Sequence, residues 1–144
     1  MATERLEFPD GFLWGTATSA YQVEGGNKND WSRWEASIRR KMQMIKEGKN
    51  VHDYICGRAC DSWHRYKEDF KLAKSLNNNA IRFGLEWSRI QPKKDTWDID
   101  AINHYREQIK EAKRQGFTTF VTLWHWTLPA WVAHADGWAN KQTV

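Results

Sequence analysis

Apolar residues recur at a helical spacing in two segments of the chain. In residues 61–79 and again in residues 98–116, apolar side chains stand three or four positions apart with charged side chains between them. An α-helix turns once every ~3.6 residues, so both segments are predicted to form amphipathic helices. Their predicted buried faces are Trp63, Tyr66, Phe70 and Ala73 in the first segment and Ile102, Tyr105, Ile109 and Ala112 in the second.

The residues at the boundaries of these segments are typical of helix ends. Either Asp98 or Asp100 can accept a hydrogen bond from the free N–H groups of the second helix's first turn. Asparagine and glycine tolerate the left-handed conformation that often follows a helix, so Asn77 and Gly116 predict where the helices end.

Apolar stretches at 80–87 and 118–126 directly follow the two predicted helices, and a third stretch at 12–20 opens the chain. We predict that all three are β-strands. A recurring helix-then-strand order is typical of βα units, which build the parallel sheets of doubly wound folds and of (β/α)₈ barrels. Residues 25–57 interrupt this order with a polar turn and a basic helix candidate at 31–49, and we interpret them as a loop insertion.

Alternation within the second predicted strand favours a barrel. One face is apolar and the other is mostly polar, with Arg82, Gly84, Glu86 and Ser88. Parallel strands of open sheets are usually apolar on both faces. A buried Arg82 needs a carboxylate partner. Glu86 is roughly 13 Å away along the strand, so we expect the partner to come from elsewhere.

The composition sets broad limits. With 144 residues, of which 40% are hydrophobic and 28% charged, a packed globular chain is expected. The formal net charge of +4 allows an anionic partner without requiring one. The N-terminal sequence has no apolar signal region, and no run approaches the ~20 apolar residues of a membrane span. We therefore expect a cytoplasmic protein with no membrane partner.

Four potential metal ligands occur at steps of four: His52, Cys56, Cys60 and His64. Gly57 interrupts any helix that would align them, and the spacing matches no standard zinc motif. We expect reduced cysteines at the start of a packed helix and no bound metal.

Several longer motifs resemble one family in their order and spacing. They read FPDGFLWGTATSAYQVEGG, CDSWHRYKEDF, NAIRFGLEWSRIQP, FVTLWHWTLPAW and GWAN. Together they resemble the N-terminal part of glycoside hydrolase family 1, the retaining β-glucosidase and β-galactosidase-like enzymes. The resemblance implies an α/β fold in which residues 1–144 form one partial domain, about three βα units of a (β/α)₈ TIM barrel.

The resemblance also implies roles for particular residues. Gln22 and His125 match positions that bind the non-reducing sugar, and Trp126 matches the aromatic residue beside it. Arg82 matches the arginine that lies against the nucleophilic glutamate, where a cation would keep the carboxylate ionised. The small-molecule partner implied is a glycoside, and no cofactor is implied.

The sequence departs from the family pattern at two positions. Thr127 stands where many members have aspartate, although some branches of the family have threonine, and Glu86 stands where many have a small or polar residue. We expect that neither change reaches the positions that contact the sugar.

The catalytic carboxylates are not in this sequence. A retaining glycosidase needs two carboxyl groups ~5–5.5 Å apart, which the family places in Asn-Glu-Pro and Glu-Asn-Gly-like motifs, and neither motif occurs here. Glu24 and Glu86 do not match those positions. We expect the 144-residue chain alone to be inactive, and loosely packed or self-associating because its sheet edges are unpaired. The other partner we consider is a separate chain that supplies the remaining strands of the barrel.

Two functions other than glycoside hydrolysis are compatible with parts of the sequence. Ten tryptophans on a basic chain could stack the bases of a single-stranded nucleic acid. They occur in motif positions rather than along a basic groove, so we expect no nucleic-acid partner. The other alternative is a module that binds sugar without cleaving it.

Overall fold

The structure is a computed structural model that describes residues 6–143, and it contains one parallel sheet with helices against it. The strands are β1 (Gly15–Ala17), β2 (Ala80–Gly84) and β3 (Thr118–Thr122). The α-helices are α1 (Ala20–Val23), α2 (Asp30–Ala36), α3 (Ile38–Lys46), α4 (Ser62–Ser75), α5 (Trp87–Ile90), α6 (Ile99–Arg114) and α7 (Ala130–His134). Short 3₁₀ turns lie at Val51–Tyr54, Gly137–Ala139 and Lys141–Thr143.

The three strands lie in chain order, β1-β2-β3, and both pairings are parallel. Ala17 is in register with Arg82, and Gly84 is in register with Thr122. Helix α4 precedes β2 and helix α6 precedes β3, which is the predicted βα order. Because the strands are parallel, the segments that follow all three of them emerge at the same edge of the sheet.

The core lies between one face of this sheet and helices α4 and α6. It contains Tyr66, Phe70, Ala73, Ile81, Phe83, Ala112 and Phe117, with Leu85, Ile109 and Val121 packed against it. The predicted helix faces are therefore confirmed at most positions. On the opposite face of the sheet, the side chain of Phe120 is 49% exposed.

The strands end earlier than the apolar stretches predicted. Leu85 still donates its N–H to the carbonyl of Thr122 at 2.9 Å. The next N–H, that of Glu86, turns away to the hydroxyl of Tyr105, and Glu86 caps α5 instead of continuing the strand. At the start of the chain, Ala20 belongs to helix α1 rather than to β1.

The single basic helix predicted at 31–49 is wrong, because two helices occupy this segment. Ser37 has an extended ψ of 144° and breaks the helix between α2 and α3. Its Oγ accepts the N–H of Arg40 at 3.3 Å, so the serine ends one helix and caps the next. Serine is suited to this role because its hydroxyl satisfies a backbone donor that the first turn leaves free.

The predicted ends of the two long helices agree with the structure. Asp98, rather than Asp100, caps α6 by accepting the N–H of Ala101 at 2.9 Å. Asn77 and Gly116 both adopt positive φ angles, 62° and 79°, directly after α4 and α6.

Both cysteines are free, and they lie in the turns before α4 rather than on it. Cys56 donates its thiol hydrogen to the carbonyl of Tyr21, and Cys60 is exposed. Within residues 6–143 no three His, Cys, Asp or Glu side chains are grouped so that they could hold a metal ion. None of the helices in this range has the length and apolarity needed to cross a membrane.

Candidate functional site

The three residues predicted to bind sugar line one cavity. It has a volume of about 210 Å³ and lies where the chain leaves β1 and β3 at the carboxyl edge of the sheet. Gln22 comes from α1, and His125 and Trp126 come from the segment after β3. The remaining lining residues are Ser19, Tyr21, Trp31 and Thr127. Carboxyl edges of parallel strands are where barrel enzymes hold their active sites.

His125 lines this cavity and has one ring nitrogen without a hydrogen bond. Its Nδ1 is buried and makes no hydrogen bond with any described residue. A buried polar atom without a partner is costly, so a ligand that supplied one would gain this interaction. A sugar hydroxyl can serve, since it is both donor and acceptor and matches either tautomer of the ring.

Trp126 is held in a strained turn. Its φ is +73°, and the N–H of Thr127 donates to the carbonyl of His125 at 3.0 Å, which is the i-to-i+2 bond of a γ-turn. A γ-turn with positive φ is rare and strained for a residue other than glycine. The turn places a 65% exposed indole at the cavity. An exposed indole face is suited to stacking against the apolar face of a sugar ring.

Arg82 lies beside this cavity rather than in its wall. Its Nε donates to Thr122 Oγ1 at 2.6 Å, and its second donor reaches the carbonyl of Thr18 at 3.3 Å. No carboxylate within residues 6–143 forms an ion pair with Arg82. The half-buried guanidinium thus has hydroxyl and carbonyl partners but no anion to balance its charge.

The structure brings Thr127 to the cavity and places Glu86 behind it. Thr127 lines the cavity, and its hydroxyl donates to the carboxylate of Glu86, with Oγ1 3.1 Å from Oε2. The Glu86 side chain is 1% exposed. The two departures from the family pattern therefore contact each other behind the turn at Trp126.

Glu24, at the end of α1, belongs to a buried network with Arg89 and Tyr105 that was not predicted from the sequence. Glu24 Oε2 accepts a hydrogen bond from Arg89 Nε at 2.8 Å, and its Oε1 accepts the hydroxyl of Tyr105 at 2.8 Å. Burial is the largest cause that raises the pKa of Glu24, to about 7. Only the YQVEGG motif could have pointed to Glu24, since a glutamate within an apolar segment requires a partner if it is buried.

Glu24 and Glu86 are not arranged as a catalytic pair. The Tyr105 hydroxyl connects the backbone of Glu86 to the carboxylate of Glu24, because it accepts the N–H of Glu86 at 2.9 Å and donates to Glu24. Neither carboxylate lines the 210 Å³ cavity. Their geometry fits a structural role.

A larger cavity, about 920 Å³, lies between the segment after α1 and helix α6. Its wall includes Trp63, Arg89 and His104. The Trp63 ring lies between the other two, with the guanidinium carbon 4.0 Å and the imidazole 3.7 Å from its centroid. None of Gln22, Arg82, His125 and Trp126 lines this space, so the smaller cavity is the candidate site.

The chain is similar in sequence and fold to known proteins. The sequence model of glycosyl hydrolase family 1 matches residues 4–144. Myrosinase 1 of Brevicoryne brassicae is 34% identical over 139 residues, which are 93% of this chain and 29% of that protein. The β-glycosidase from Pyrococcus horikoshii is 40% identical, with a TM-score of 0.80 over 96% of this chain and 30% of that one.

A third relative is a β-glucosidase from Thermotoga maritima, solved in complex with methoxycarbonyl-substituted glucoimidazole. It is 32% identical, with a TM-score of 0.80 over 94% of this chain and 31% of that one. The chain thus spans about 30% of the length of these relatives. Its parallel sheet and helices correspond to part of their TIM barrel, as predicted. With a match from residue 4 to residue 144, the chain belongs to glycosyl hydrolase family 1.

Proposed function

We propose that this chain forms the sugar-binding part of a retaining β-glycosidase that hydrolyses terminal β-linked sugars. The observation that carries the proposal is the convergence of Gln22, His125 and Trp126 on one cavity at the carboxyl edge of the sheet. They come from two segments more than a hundred residues apart, so only the fold brings them together.

Each of these side chains has a distinct task. The Gln22 amide both donates and accepts, and it hydrogen-bonds adjacent hydroxyls of the sugar. The free Nδ1 of His125 marks the edge of the imidazole that can bond another hydroxyl. The Trp126 indole covers an apolar face of the ring. Together they fix the ring's position, which is what a reaction at its anomeric carbon requires.

Arg82 acts on the nucleophile rather than on the sugar. In a retaining mechanism one carboxylate attacks the anomeric carbon, while a second carboxyl group protonates the departing oxygen and later activates water. Arg82 has no anionic partner in residues 6–143, so it can pair with the attacking carboxylate. A neighbouring guanidinium stabilises the ionised form and keeps it nucleophilic. Both catalytic carboxyl groups come from outside the described residues.

The proposal is tested in a protein that contains a whole barrel. The simplest is the Pyrococcus horikoshii β-glycosidase with the matching 30% of its chain replaced by this one. The natural full-length protein serves equally if this chain is part of one. We call either protein the completed barrel. Hydrolysis of p-nitrophenyl β-D-glucoside and β-D-galactoside gives kcat and KM.

In the completed barrel, Gln22→Ala and His125→Ala are expected to lower kcat/KM about 10- to 100-fold, as the loss of buried hydrogen bonds to a sugar implies. Arg82→Met removes the cation and is expected to lower kcat. His52→Ala changes an exposed histidine outside the cavity and serves as the matched control. Equal activity in His125→Ala and His52→Ala would refute the assignment.

Sugar binding without turnover in the completed barrel would instead favour the non-catalytic module. Binding of single-stranded nucleic acid that weakens steeply with salt would favour the third class of function. The intact mass of the protein from its natural source shows whether this chain is made together with the rest of a barrel.

A further inference from the structure

A buried carboxylate underlies the turn that carries His125 and Trp126. Glu86 accepts hydrogen bonds at both oxygens, from the hydroxyl of Ser88 at 2.8 Å and from the hydroxyl of Thr127 at 3.1 Å. Thr127 Oγ1 is also 3.3 Å from the first of these oxygens. Thr127 itself is only 6% exposed. This contact joins the end of β2 to the segment after β3, across 41 residues of sequence.

Within residues 6–143, hydroxyl and amide groups are the hydrogen-bond donors to this carboxyl group. Within residues 6–143 no arginine, lysine or histidine forms an ion pair with Glu86, whereas Glu24 has Arg89. The Thr127 hydroxyl lies within hydrogen-bond distance of both oxygens of Glu86, so this contact holds Thr127 to the end of β2.

Thr127 is also the residue that closes the strained turn. Its N–H makes the γ-turn bond to His125, and its carbonyl accepts the indole N–H of Trp124 at 3.1 Å. A residue held at positive φ keeps that conformation only where its surroundings determine it strongly. Thr127 forms hydrogen bonds through its N–H, its carbonyl and its hydroxyl. The hydroxyl bond is the one that connects it to Glu86, just after β2.

The other end of the segment is held separately. Asp30, at the start of α2, accepts the N–H of Leu128 at 2.8 Å and donates its own N–H to the Leu128 carbonyl at 3.0 Å. Asp30 fixes where the segment goes after the turn, but its hydrogen bonds to this segment are with Leu128 rather than Thr127. Glu86 is therefore the anchor that acts on the turn itself.

We infer that Glu86 is a positioning residue: by holding the Thr127 hydroxyl it sets the turn that presents His125 and Trp126 to the sugar. The sugar part of this inference rests on the proposed function. Glu86 touches no sugar itself, since it does not line the cavity.

The geometry also places the two departures from the family pattern in contact with each other. Where many members have aspartate at position 127 and a small or polar residue at position 86, this chain has threonine and glutamate. Because the two side chains touch, the contact needs one carboxylate and one hydroxyl. Either position, 86 or 127, can supply either group. Two carboxylates in contact would repel each other, and serine at position 86, being shorter than glutamate, would not reach the Thr127 hydroxyl.

The test is an exchange cycle in the completed barrel. The variants are Glu86→Ser, Thr127→Asp and the pair that combines them, with Thr127→Val and Thr127→Ser as a matched pair that differs in the hydroxyl. Ser88→Ala is the control, because it removes the other hydroxyl on Glu86 without touching the turn. Tryptophans are labelled with 5-fluorotryptophan, and the ¹⁹F signals of Trp14, Trp124 and Trp126 are assigned by replacing each with phenylalanine.

Glu86→Ser, Thr127→Asp and Thr127→Val are each expected to shift the Trp124 and Trp126 signals and to raise KM about tenfold, more than they lower kcat. The exchanged pair and Thr127→Ser are expected to return both signals and KM to within about threefold of the parent protein. Ser88→Ala is expected to leave them unchanged. The Trp14 signal, from the opposite end of β1, reports whether a variant is folded.

Parent-like signals and KM in Glu86→Ser and Thr127→Val would overturn the inference. An equal effect of Ser88→Ala, or a failure of the exchanged pair to recover while Trp14 is unchanged, would also overturn it. Loss of the proposed function has a different signature. A completed barrel that neither binds nor cleaves β-glycosides, but whose Trp124 and Trp126 signals follow the exchange cycle, retains the positioning role and loses the sugar assignment.

Discussion

The carboxylate of Glu24 and the guanidinium of Arg89 form a buried ion pair, with Oε2 and Nε 2.8 Å apart. The two residues are 65 positions apart in sequence, and their ion pair links the segment after β1 to helix α5. The hydroxyl of Tyr105 donates to the other oxygen of Glu24. Despite these two partners, burial raises the pKa of Glu24 to about 7, because the cost of removing the charge from water outweighs their effect.

This shift predicts that stability falls as the pH rises. In the unfolded chain Glu24 loses its proton near its ordinary pKa of 4.5, whereas the folded chain keeps the proton until about pH 7. Between these values the folded state holds more protons, so the free energy of unfolding decreases with pH, by roughly 3 kcal/mol in total. Below the window the contribution is fully present. Urea denaturation of the completed barrel from about pH 4 to about pH 8 measures it, and Glu24→Gln should remove this part of the slope.

Glu111 supplies a control of opposite sign. Arg114 and then Gln115 donate to its carboxylate and lower its pKa to about 2. Its contribution to stability is present above pH 4.5 and is lost as the pH falls toward 2. Glu111→Gln should therefore change the pH profile only below about pH 4.5. Parallel profiles for Glu24→Gln and the parent protein between pH 4.5 and 7 would show that Glu24 is not perturbed.

Asp98 is predicted to stabilise α6 as its N-cap. Replacing it with alanine leaves the N–H of Ala101 without its side-chain acceptor and should cost about 1 kcal/mol. Asp100→Ala is the matched control, since Asp100 lies in the first turn but does not cap it. It should cost only a few tenths of a kcal/mol through the helix dipole. The midpoint of urea denaturation separates the two variants, and an equal loss in both would contradict the cap assignment.

Periodicity predicted the elements that bury a continuous apolar face. Helix α4 and helix α6 were found because Tyr66, Phe70, Tyr105 and Ala112 repeat at helical spacing and pack on the sheet. The predicted strands were too long because apolar residues continue past Gly84 into the loop that follows the strand. The break at Ser37 was missed because the polar and basic residues around it are compatible with one exposed helix.

The site was predictable only in part. A family motif pointed to Gln22, His125 and Trp126, and the structure places all three at one cavity. The contact of Thr127 with Glu86 depends on two loop conformations that no local pattern specifies. The positive φ of Trp126 has no sequence signal either, because such a residue is usually glycine or asparagine.

Phe70 is predicted to be the most sensitive position of α4. Its side chain is 3% exposed, and its ring lies about 6 Å from those of Tyr66, Phe83 and Phe117. Phe70→Ala should lower the free energy of unfolding of the completed barrel by about 3–5 kcal/mol, through lost burial and the cavity left behind. Leu72, on the same helix, is 64% exposed, and Leu72→Ala should change stability by less than ~0.5 kcal/mol. Similar losses in both variants would contradict the assignment of the core.

The 144-residue chain produced by itself is expected to self-associate. Within residues 6–143, β1 and β3 each have one unpaired edge, and all three residues of β1 are exposed. Phe120 lies on the uncovered face of edge strand β3 and is 49% exposed. Unpaired edges offer backbone hydrogen bonds to another chain, and a charged side chain on such a strand opposes that pairing.

Sedimentation velocity should show a concentration-dependent increase in mass that Phe120→Lys reduces. Leu72→Lys, which adds the same charge to an exposed position on α4, should leave the association unchanged. A monodisperse monomer that unfolds cooperatively would mean that the three-stranded sheet needs no further strands.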